Sequence, residues 1–575
     1  MLITSNHIQV KAFKEMTDQQ DLLGKIRDAV IGDDHLFRGP FGPRRLTYAD
    51  YTASGRALDF IEDYIRDRVL PYYANTHTET SLTGLQTTHY REQARALIRK
   101  SLGADEEYAV IFCGSGATGA INRLIDILNI RIPANLDARF ELSKNIPADQ
   151  RPVVFIGPYE HHSNELTWRE TIADVIPINE DADGQIDLEY LEQQLEIYKD
   201  RDLVIGSFSA ASNVTGIISD RVGISALLKA HGALSFWDYA AAAPYVEINI
   251  TGDADIQAMD GLFISPHKFV GGPGSPGLLV MRKSLMENQV PARPGGGTVS
   301  YVNPKEHVYI DDHEHREEGG TPAIIESIRA GLVFQLKDRV GVDLIEKREE
   351  EFVHRALKTW TANPNIQVLG NPDLPRLAII SFVIRHGKLN LHHDFVVSVL
   401  NDLFGIQSRG GCSCAGPYGH RLLHIDLDQS RAFEDSIVEG CNGIKPGWVR
   451  LGFNYFFSDT IADYIIEAVN LIAKHGWKLL PQYTFDPGTG VWRHHNVADL
   501  APMGLEELDI FNPASSGGET VSEDALAGYL EEARTILEQA DATTNSPAES
   551  TGPLSNSAET LRWFPLPEEF HQGWM

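Results

Sequence analysis

Short, almost unbroken apolar runs alternate with longer amphipathic stretches through the middle of this chain. Tyr108-Ala109-Val110-Ile111-Phe112-Cys113 is the first run, and Gly114-Ser115-Gly116 then opens a stretch of helical spacing from Ala117 to Leu128. The segments Val153–Ile156, Asp174–Ile178, Leu203–Ser207, Ala233–Trp237, Gly261–Ser265 and Gly277–Met281 continue the series. Strands that are apolar at nearly every position are buried on both faces, and the helical segments between them supply the cover. The pattern therefore predicts an α/β fold with a mainly parallel sheet. Upstream, Ala57–Leu70 and Tyr90–Leu102 carry helical spacing, and residues up to Gly42 read as an N-terminal arm. Downstream, a helical linker over 320–348 leads to a second, smaller α/β pattern. Its strands are expected at Leu377–Val383 and Trp448–Phe453, and a helix from Thr460 to Gly476 closes it. The expected divisions are thus an arm (1–42), a large domain (43–337), a small domain (338–478) and a C-terminal extension (479–575). Within the extension, 543–557 is rich in Thr, Ser, Asn and Pro and reads as a flexible tether. The aromatic patch Leu561-Arg562-Trp563-Phe564-Pro565-Leu566 follows and is expected to pack back on the body.

Composition narrows the range of partners. A chain of 575 residues is long enough for two domains with appendages, and 42% hydrophobic with 9% aromatic residues is ordinary for a globular protein. The formal charge of -30 opposes a nucleic acid or an anionic membrane as the main partner. No apolar run is long enough to span a bilayer, and the N-terminal segment lacks the apolar stretch and cleavage site of a secretion signal. Four cysteines in so long a chain do not make a disulfide framework, so a reducing cytoplasm is expected.

Candidate chemistry centres on Lys268, in Ser265-Pro266-His267-Lys268 just ahead of Gly271, Gly272, Gly274 and Gly277, and on Asp238, which closes the Ala233–Trp237 run. A lysine that forms a Schiff base and an acid that keeps a pyridine nitrogen protonated are the minimum equipment for pyridoxal 5'-phosphate (PLP). Alone, such a pair is more often two solvated surface charges. Ligands of open α/β sheets lie beyond the carboxyl ends of the strands, and several further segments fall there. Gly116-Ala117-Thr118 begins a helix whose free N–H groups, with the Thr118 hydroxyl, suit a phosphate; the alternative is a plain glycine turn with a helix cap. Glu160-His161-His162-Ser163-Asn164 offers an imidazole that could lie flat on a pyridine ring. Adjacent histidines could also serve a metal, but neighbouring side chains point apart and no third ligand has the required spacing. Asn213, in Ser209-Ala210-Ala211-Ser212-Asn213-Val214-Thr215-Gly216, could donate to the ring 3-oxygen or simply belong to a turn.

Taken in order and spacing, these segments resemble the class V aminotransferase superfamily of PLP fold type I. Within it they resemble the cysteine desulfurase and selenocysteine lyase group, from about Tyr48 to about Ile472. The resemblance implies that Lys268 carries the cofactor, that Asp238 pairs with the pyridine nitrogen and that His161 stacks on the ring. It implies further that Ala117, Thr118, Ser265 and His267 hold the phosphate, with Asn213 near the ring oxygen or the substrate carboxylate. Arg316–Pro322 resembles the segment whose threonine reaches the phosphate of a neighbouring subunit, so Thr321 implies a homodimer. One departure stands out: Ala241 occupies the position, three residues after Asp238, where the family usually places a Gln bonded to the ring oxygen.

The second pattern adds two segments. Trp448-Val449-Arg450-Leu451-Gly452-Phe453 resembles the strand whose arginine grips the substrate carboxylate, a role that suits the planar guanidinium fork; the alternative is a surface Arg on an apolar strand. Arg409-Gly410-Gly411-Cys412-Ser413-Cys414 resembles the desulfurase loop, with Cys414 at the persulfide position. Its Cys-x-Cys form also resembles the PLP domain of molybdenum cofactor sulfurases, although the chain lacks room for that family's second catalytic domain. Judged from the residues alone, Cys414 near Arg409 is a candidate nucleophile, a buried structural thiol, or half of a Cys412–Cys414 metal or redox pair. Cys113 reads as a packed core thiol. The implied activity removes sulfur from L-cysteine as a persulfide on Cys414, leaves alanine, and serves a sulfur-acceptor protein. Another class V reaction (transamination, β-elimination or racemisation) and a non-catalytic PLP-binding scaffold are the alternatives.

Overall fold

The apolar runs become the strands of one seven-stranded sheet. The computed structural model of the chain describes residues 21–496, 504–507, 518–540 and 554–571. The strands are β1 (Tyr108–Cys113), β2 (Val153–Ile156), β3 (Asp174–Pro177), β4 (Val204–Ser209), β5 (Leu234–Asp238), β6 (Gly261–Ile264) and β7 (Gly277–Arg282). They lie in the order β1-β7-β6-β5-β4-β2-β3. β7 runs antiparallel to both of its neighbours, and every other pairing is parallel. Every residue of β1, β2, β4 and β6 is buried, as expected for strands covered on both faces. β3 is only half-buried and ends in Pro177, which an edge strand tolerates because it has no neighbour to receive the missing N–H.

Helix α1 (Leu82–Ser101) precedes this sheet, and α2 (Gly116–Ile127) starts directly after β1. α2 turns Ala117, Ala120, Ile121 and Leu124 inward at helical spacing, onto Ile111, Val154, Ile205, Phe236, Phe263 and Leu279. The expected helical linker over 320–348 is helical and consists of two helices, α3 (Ile324–Val340) and α4 (Val342–Thr361), broken at Gly341 with φ +86°. α3 buries Ile328, Ala330, Gly331, Val333, Phe334 and Leu336, so it is a core helix apolar around much of its girth rather than a connector. The helix expected over 57–70 runs from Asp59 to Tyr64 and continues as a π-helical turn, Ile65–Val69.

Among the described residues the chain forms two compact units, one drawn from positions up to 31, 51–348 and 373–377, the other from 32–50, 349–372 and 378 onward. The second unit has an antiparallel sheet of β8 (Ile366–Val368), β9 (Ile379–His386), β10 (Arg409–Gly411) and β11 (Trp448–Gly452), in the order β8-β9-β11-β10. Its helices include α5 (His393–Phe404), α6 (Gly416–Leu422), α7 (Leu427–Val438), α8 (Asp459–His475) and α9 (Ala525–Gln539). The hairpin Leu36–Gly39/Gly42–Arg45 also belongs to this unit, while the beginning of the expected arm, residues 1–20, lies outside the described residues. The expected tether over 543–557 lies outside them as far as residue 553, and its last residues enter helix α10 (Asn556–Leu561). No described helix is long and apolar enough to cross a membrane.

Candidate active site

In the first unit, β1, β2, β4, β5 and β6 all point the same way, so the residues that follow them emerge at one edge of the sheet. That edge gathers Gly116-Ala117-Thr118, His161, Asn213, Asp238 and Ser265–Lys268. Ala117 N–H donates to Ser265 Oγ at 2.8 Å, which ties the start of α2 to the lysine turn. Gly116 has φ +54°, and a Cβ there would lie 2.8 Å from Ser265 Oγ and 3.5 Å from His267 Nε2. A helix N-terminus, two hydroxyls and an imidazole thus surround a space that a side chain at position 116 would fill, a donor set that fits an anion such as a phosphate. Burial lowers the His267 pKa to about 4, assisted by the charge of Lys268, so this imidazole is neutral and retains one N–H to donate.

Ser163, which sequence reasoning did not single out, links two of the predicted residues. Its Oγ lies 2.6 Å from Thr118 Oγ1 and 3.0 Å from His161 Nδ1. The Ser163 backbone N–H also donates to His161 Nδ1 at 3.1 Å, so Nδ1 is the acceptor and the neutral ring carries its proton on Nε2. Asp238 is buried at the end of β5, where Ala240 N–H donates to its Oδ1 at 2.8 Å. Burial raises its pKa, while that N–H and the charge of Lys268 act the other way, so the aspartate and the lysine feel one another. Lys268 closes a 3-10 turn, Pro266–Lys268, whose carbonyl at His267 accepts from Gly55 N–H at 2.8 Å. Asn213 is buried in the turn after β4. Thr321 is exposed ahead of α3 and accepts from Asn75 Nδ2 at 3.3 Å. Ala241 is buried and offers no side-chain donor.

Arg450 and Cys414 belong to the second unit. Arg450, 4% exposed on β11, donates through Nη2 to Asp50 Oδ1 at 2.9 Å, and Arg409 Nε on β10 donates to Asp50 Oδ2 at 3.0 Å. Arg450 is therefore not the surface residue of the alternative reading, and Asp50, for which the sequence offered no signal, is its partner. Burial works against the Arg450 charge; Asp50 favours it, Arg409 opposes it, and a Cys414 thiolate favours it. Cys412 and Cys414 are both exposed, which removes the buried structural option for Cys414. Between them the chain turns tightly, with Ala415 N–H donating to Cys412 O at 3.1 Å and with φ +51° at Ser413 and +56° at Cys414. Left-handed backbone at a residue with a side chain costs roughly 1–2 kcal/mol, so the surrounding structure holds these thiols in position. Cys113 is buried and burial pushes its thiol up to about 12, in keeping with a core role.

Among the described residues, His392, His393 and Asp394 bring three potential metal-ligand atoms within 4.8 Å. His392 already uses both nitrogens, since Nδ1 accepts from Asp394 N–H at 3.1 Å and Nε2 lies 3.0 Å from Gly443 O. His393 and Asp394 instead press against β10, where a Cβ on Gly410 would lie 2.3 Å from Asp394 Oδ1 and 2.9 Å from His393 Nδ1. Only glycine lets β10 lie that close to the pair, just before the cysteine turn.

A seven-stranded, mainly parallel sheet of this order, with a lysine, a buried aspartate and an anion cradle at one edge, defines PLP fold type I. The model for the family "Aminotransferase class-V" matches residues 47–432, and the chain belongs to that family, whose members are PLP-dependent enzymes. A relative named "Probable cysteine desulfurase" from Staphylococcus aureus is 28% identical over 401 residues, covering 68% of this chain and 87% of its own. One of the same name from Halalkalibacterium halodurans is 28% identical over 382 residues, covering 65% and 84%. Among solved structures, the apo cysteine desulfurase of Thermococcus onnurineus is similar with TM-score 0.59 at 23% identity, covering 75% of this chain and 95% of that one. A cysteine desulfurase of Escherichia coli in its S-sulfonic acid form is similar with TM-score 0.57 at 18% identity, covering 74% and 93%.

Proposed function

We propose that the enzyme is a PLP-dependent cysteine desulfurase that acts on L-cysteine, leaves its sulfur as a persulfide on Cys414 and releases alanine. The observation that carries this reading is an exposed Cys414, held in a left-handed turn, whose thiolate is electrostatically tied to the buried Arg450. When bound, PLP supplies an electron sink that stabilises negative charge at the substrate α-carbon. Ala117, Thr118, Ser265 and His267 would hold its phosphate, and Asp238 would pair with its pyridine nitrogen. His161 would stack on the ring, its own orientation fixed through Nδ1 by Ser163. Lys268 would carry the cofactor, and its amine would take the substrate α-proton on Nζ. Arg450 would bind the substrate carboxylate, and Asn213 would be a further substrate or ring-oxygen contact. Cys414 enters as thiolate and attacks the substrate sulfur. A sulfur–sulfur bond forms, and the carbon–sulfur bond breaks with its electron pair going to the substrate carbons. The β-carbon takes up a proton while the α-carbon regains the one held by Lys268, which gives alanine. Thr321 completes the phosphate site of a second copy, which makes the working enzyme a homodimer, and a sulfur-acceptor protein receives the persulfide.

The test separates cofactor from chemistry. Purified protein should show a visible band abolished by borohydride, and Lys268→Ala should lack it. Cys414→Ala should keep the band while sulfide release from cysteine falls by about 100-fold or more. Sulfide release that survives in Cys414→Ala, accompanied by a keto acid in place of alanine, would assign a β-elimination instead.

A further inference from the structure

The second unit contains a cavity of about 650 Å³ that the reaction above does not use. Cys412 lies on its wall, and Cys414, two residues on, does not. The wall also includes His393 and His420, and Phe433 and Ile437 from α7. Trp448 also lines it, and its indole N–H is buried without a hydrogen-bond partner among the described residues. The volume falls in the range of about 300–1,000 Å³ typical of small-molecule sites, and apolar walls with a few polar points are their usual character. Cys412 and Cys414 are separated by one residue in a closed turn, and two residues of chain reach no further than about 7 Å, near the upper limit at which two cysteines can exchange sulfur.

We propose that Cys412 is a second sulfur-carrying thiol, which takes the sulfane sulfur from Cys414 and presents it inside this cavity to a small thiol. The inference rests on the reading of Cys414 as the persulfide site. Cys412 thiolate attacks the outer sulfur of the Cys414 persulfide; a bond from that sulfur to Cys412 Sγ forms, the bond to Cys414 Sγ breaks, and Cys414 leaves as thiolate. The small thiol in the cavity then repeats the exchange on Cys412 and leaves as its own persulfide. Each incoming thiol gives up a proton and each departing thiolate regains one, so the sulfane sulfur keeps its oxidation level and no oxidant or reductant is consumed.

The test uses the full chain loaded with PLP, L-cysteine as sulfur source, alkylation to trap persulfides, and fragment-ion mass spectrometry of the peptide that holds both cysteines. Dithiothreitol serves as the acceptor probe. In the unaltered chain the extra sulfur should be found on both Cys412 and Cys414. Cys412→Ser should confine it to Cys414 and slow transfer to dithiothreitol by about tenfold or more. Ile437→Trp, which narrows the cavity from α7 and retains both cysteines, should leave sulfur on both and slow transfer by a similar factor. Sulfur on Cys414 alone in the unaltered chain, with transfer unchanged in Cys412→Ser, overturns the relay and leaves the desulfurase reading intact. Sulfur on neither thiol, or on Cys412 in a Cys414→Ser chain, overturns the reading of Cys414 and the relay with it.

Discussion

Glu160 is a fully buried acid held among four donors. Gly157 N–H and Ser209 N–H donate to Oε1 at 3.2 and 2.8 Å, and Asn164 Nδ2 and Ser209 Oγ donate to Oε2 at 2.7 and 2.6 Å. Burial nevertheless pushes its pKa up to about 7, with the charge of Asp238 acting in the same direction and the donors against it. The folded chain therefore keeps a proton on Glu160 over a range where the unfolded chain, near 4.5, has lost it. The stability this group contributes is present below 4.5 and declines as pH rises toward 7. Glu160→Gln cannot titrate, so the difference in unfolding free energy between the parent and this variant should fall across that window, by an amount on the order of a few kcal/mol. Urea unfolding at a series of pH values measures it, and a difference that stays flat rejects the assignment. His161, next in the chain, was legible because its motif has a recognisable form. Glu160 sat in the same motif but was not singled out: nothing in a one-dimensional pattern shows that a charged side chain points into a core. Ser163 was likewise visible as a letter, whereas its bridge from Thr118 to His161 exists only once the loop after β2 comes beside α2.

Elements decide how closely these groups approach. A Cβ on Gly277 would lie 2.0 Å from Gly116 O, a backbone atom that no side-chain rotation can move aside. Gly277→Ala should therefore displace the start of α2 from Ser265 and weaken PLP binding by about tenfold or more, equivalent to about 1.4 kcal/mol. A cofactor titration of the folded variant measures this, and unchanged affinity refutes the close-approach account. In the second unit Asp50 joins β10 to β11 through Arg409 and Arg450. Arg409 is half-exposed and its contact is worth little, but Arg450 is buried with Asp50 as countercharge. Asp50→Asn removes that charge and should destabilise the chain by about 3–5 kcal/mol in denaturant unfolding; a loss below about 1 kcal/mol would show that water or another group already compensates Arg450. Most strands of the large sheet could be read from the sequence because they are buried on both faces and so largely apolar. β8 and β10 could not, being three residues long, and β10 carries two glycines in place of any strand-forming pattern. The helical character after residue 320 was legible, but the break at Gly341 and the core position of α3 were not, because a helix buried on nearly all sides lacks the stripe that marks a surface helix.

At the scale of the whole chain, the C-terminal residues complete the second unit rather than trail from it. α9 buries Ala533 and Leu537, and Arg534 pairs with Glu467 of α8 at 3.0 Å. The expected docking of the aromatic patch is observed: Trp563 stacks on His392 at 5.2 Å and on His393 at 5.7 Å, and its Nε1–H donates to Ile444 O at 2.9 Å. Phe564 is fully buried against His392, Phe485 and Trp492. Composition showed that an aromatic cluster after a polar stretch would seek cover, but its destination required the fold, since it spans some 170 positions of sequence to reach His392. Burial lowers the His392 pKa to about 3, chiefly because these rings exclude water. An imidazole that resists protonation when folded and accepts it near 6.5 when unfolded contributes stability above 6.5 that is lost as pH falls toward 3. Phe564→Ala removes a fully buried ring at a cost of about 3–5 kcal/mol near neutral pH. It also opens His392 to water, so its folded pKa should move back toward 6.5 and its share of the acid sensitivity should disappear. The gap in unfolding free energy between the parent and Phe564→Ala should thus be widest above pH 6.5 and narrow steadily toward pH 4, as followed by calorimetry with the His392 imidazole resonance tracked by NMR. A gap independent of pH would mean that other groups keep His392 dry, and that the C-terminal rings contribute packing alone.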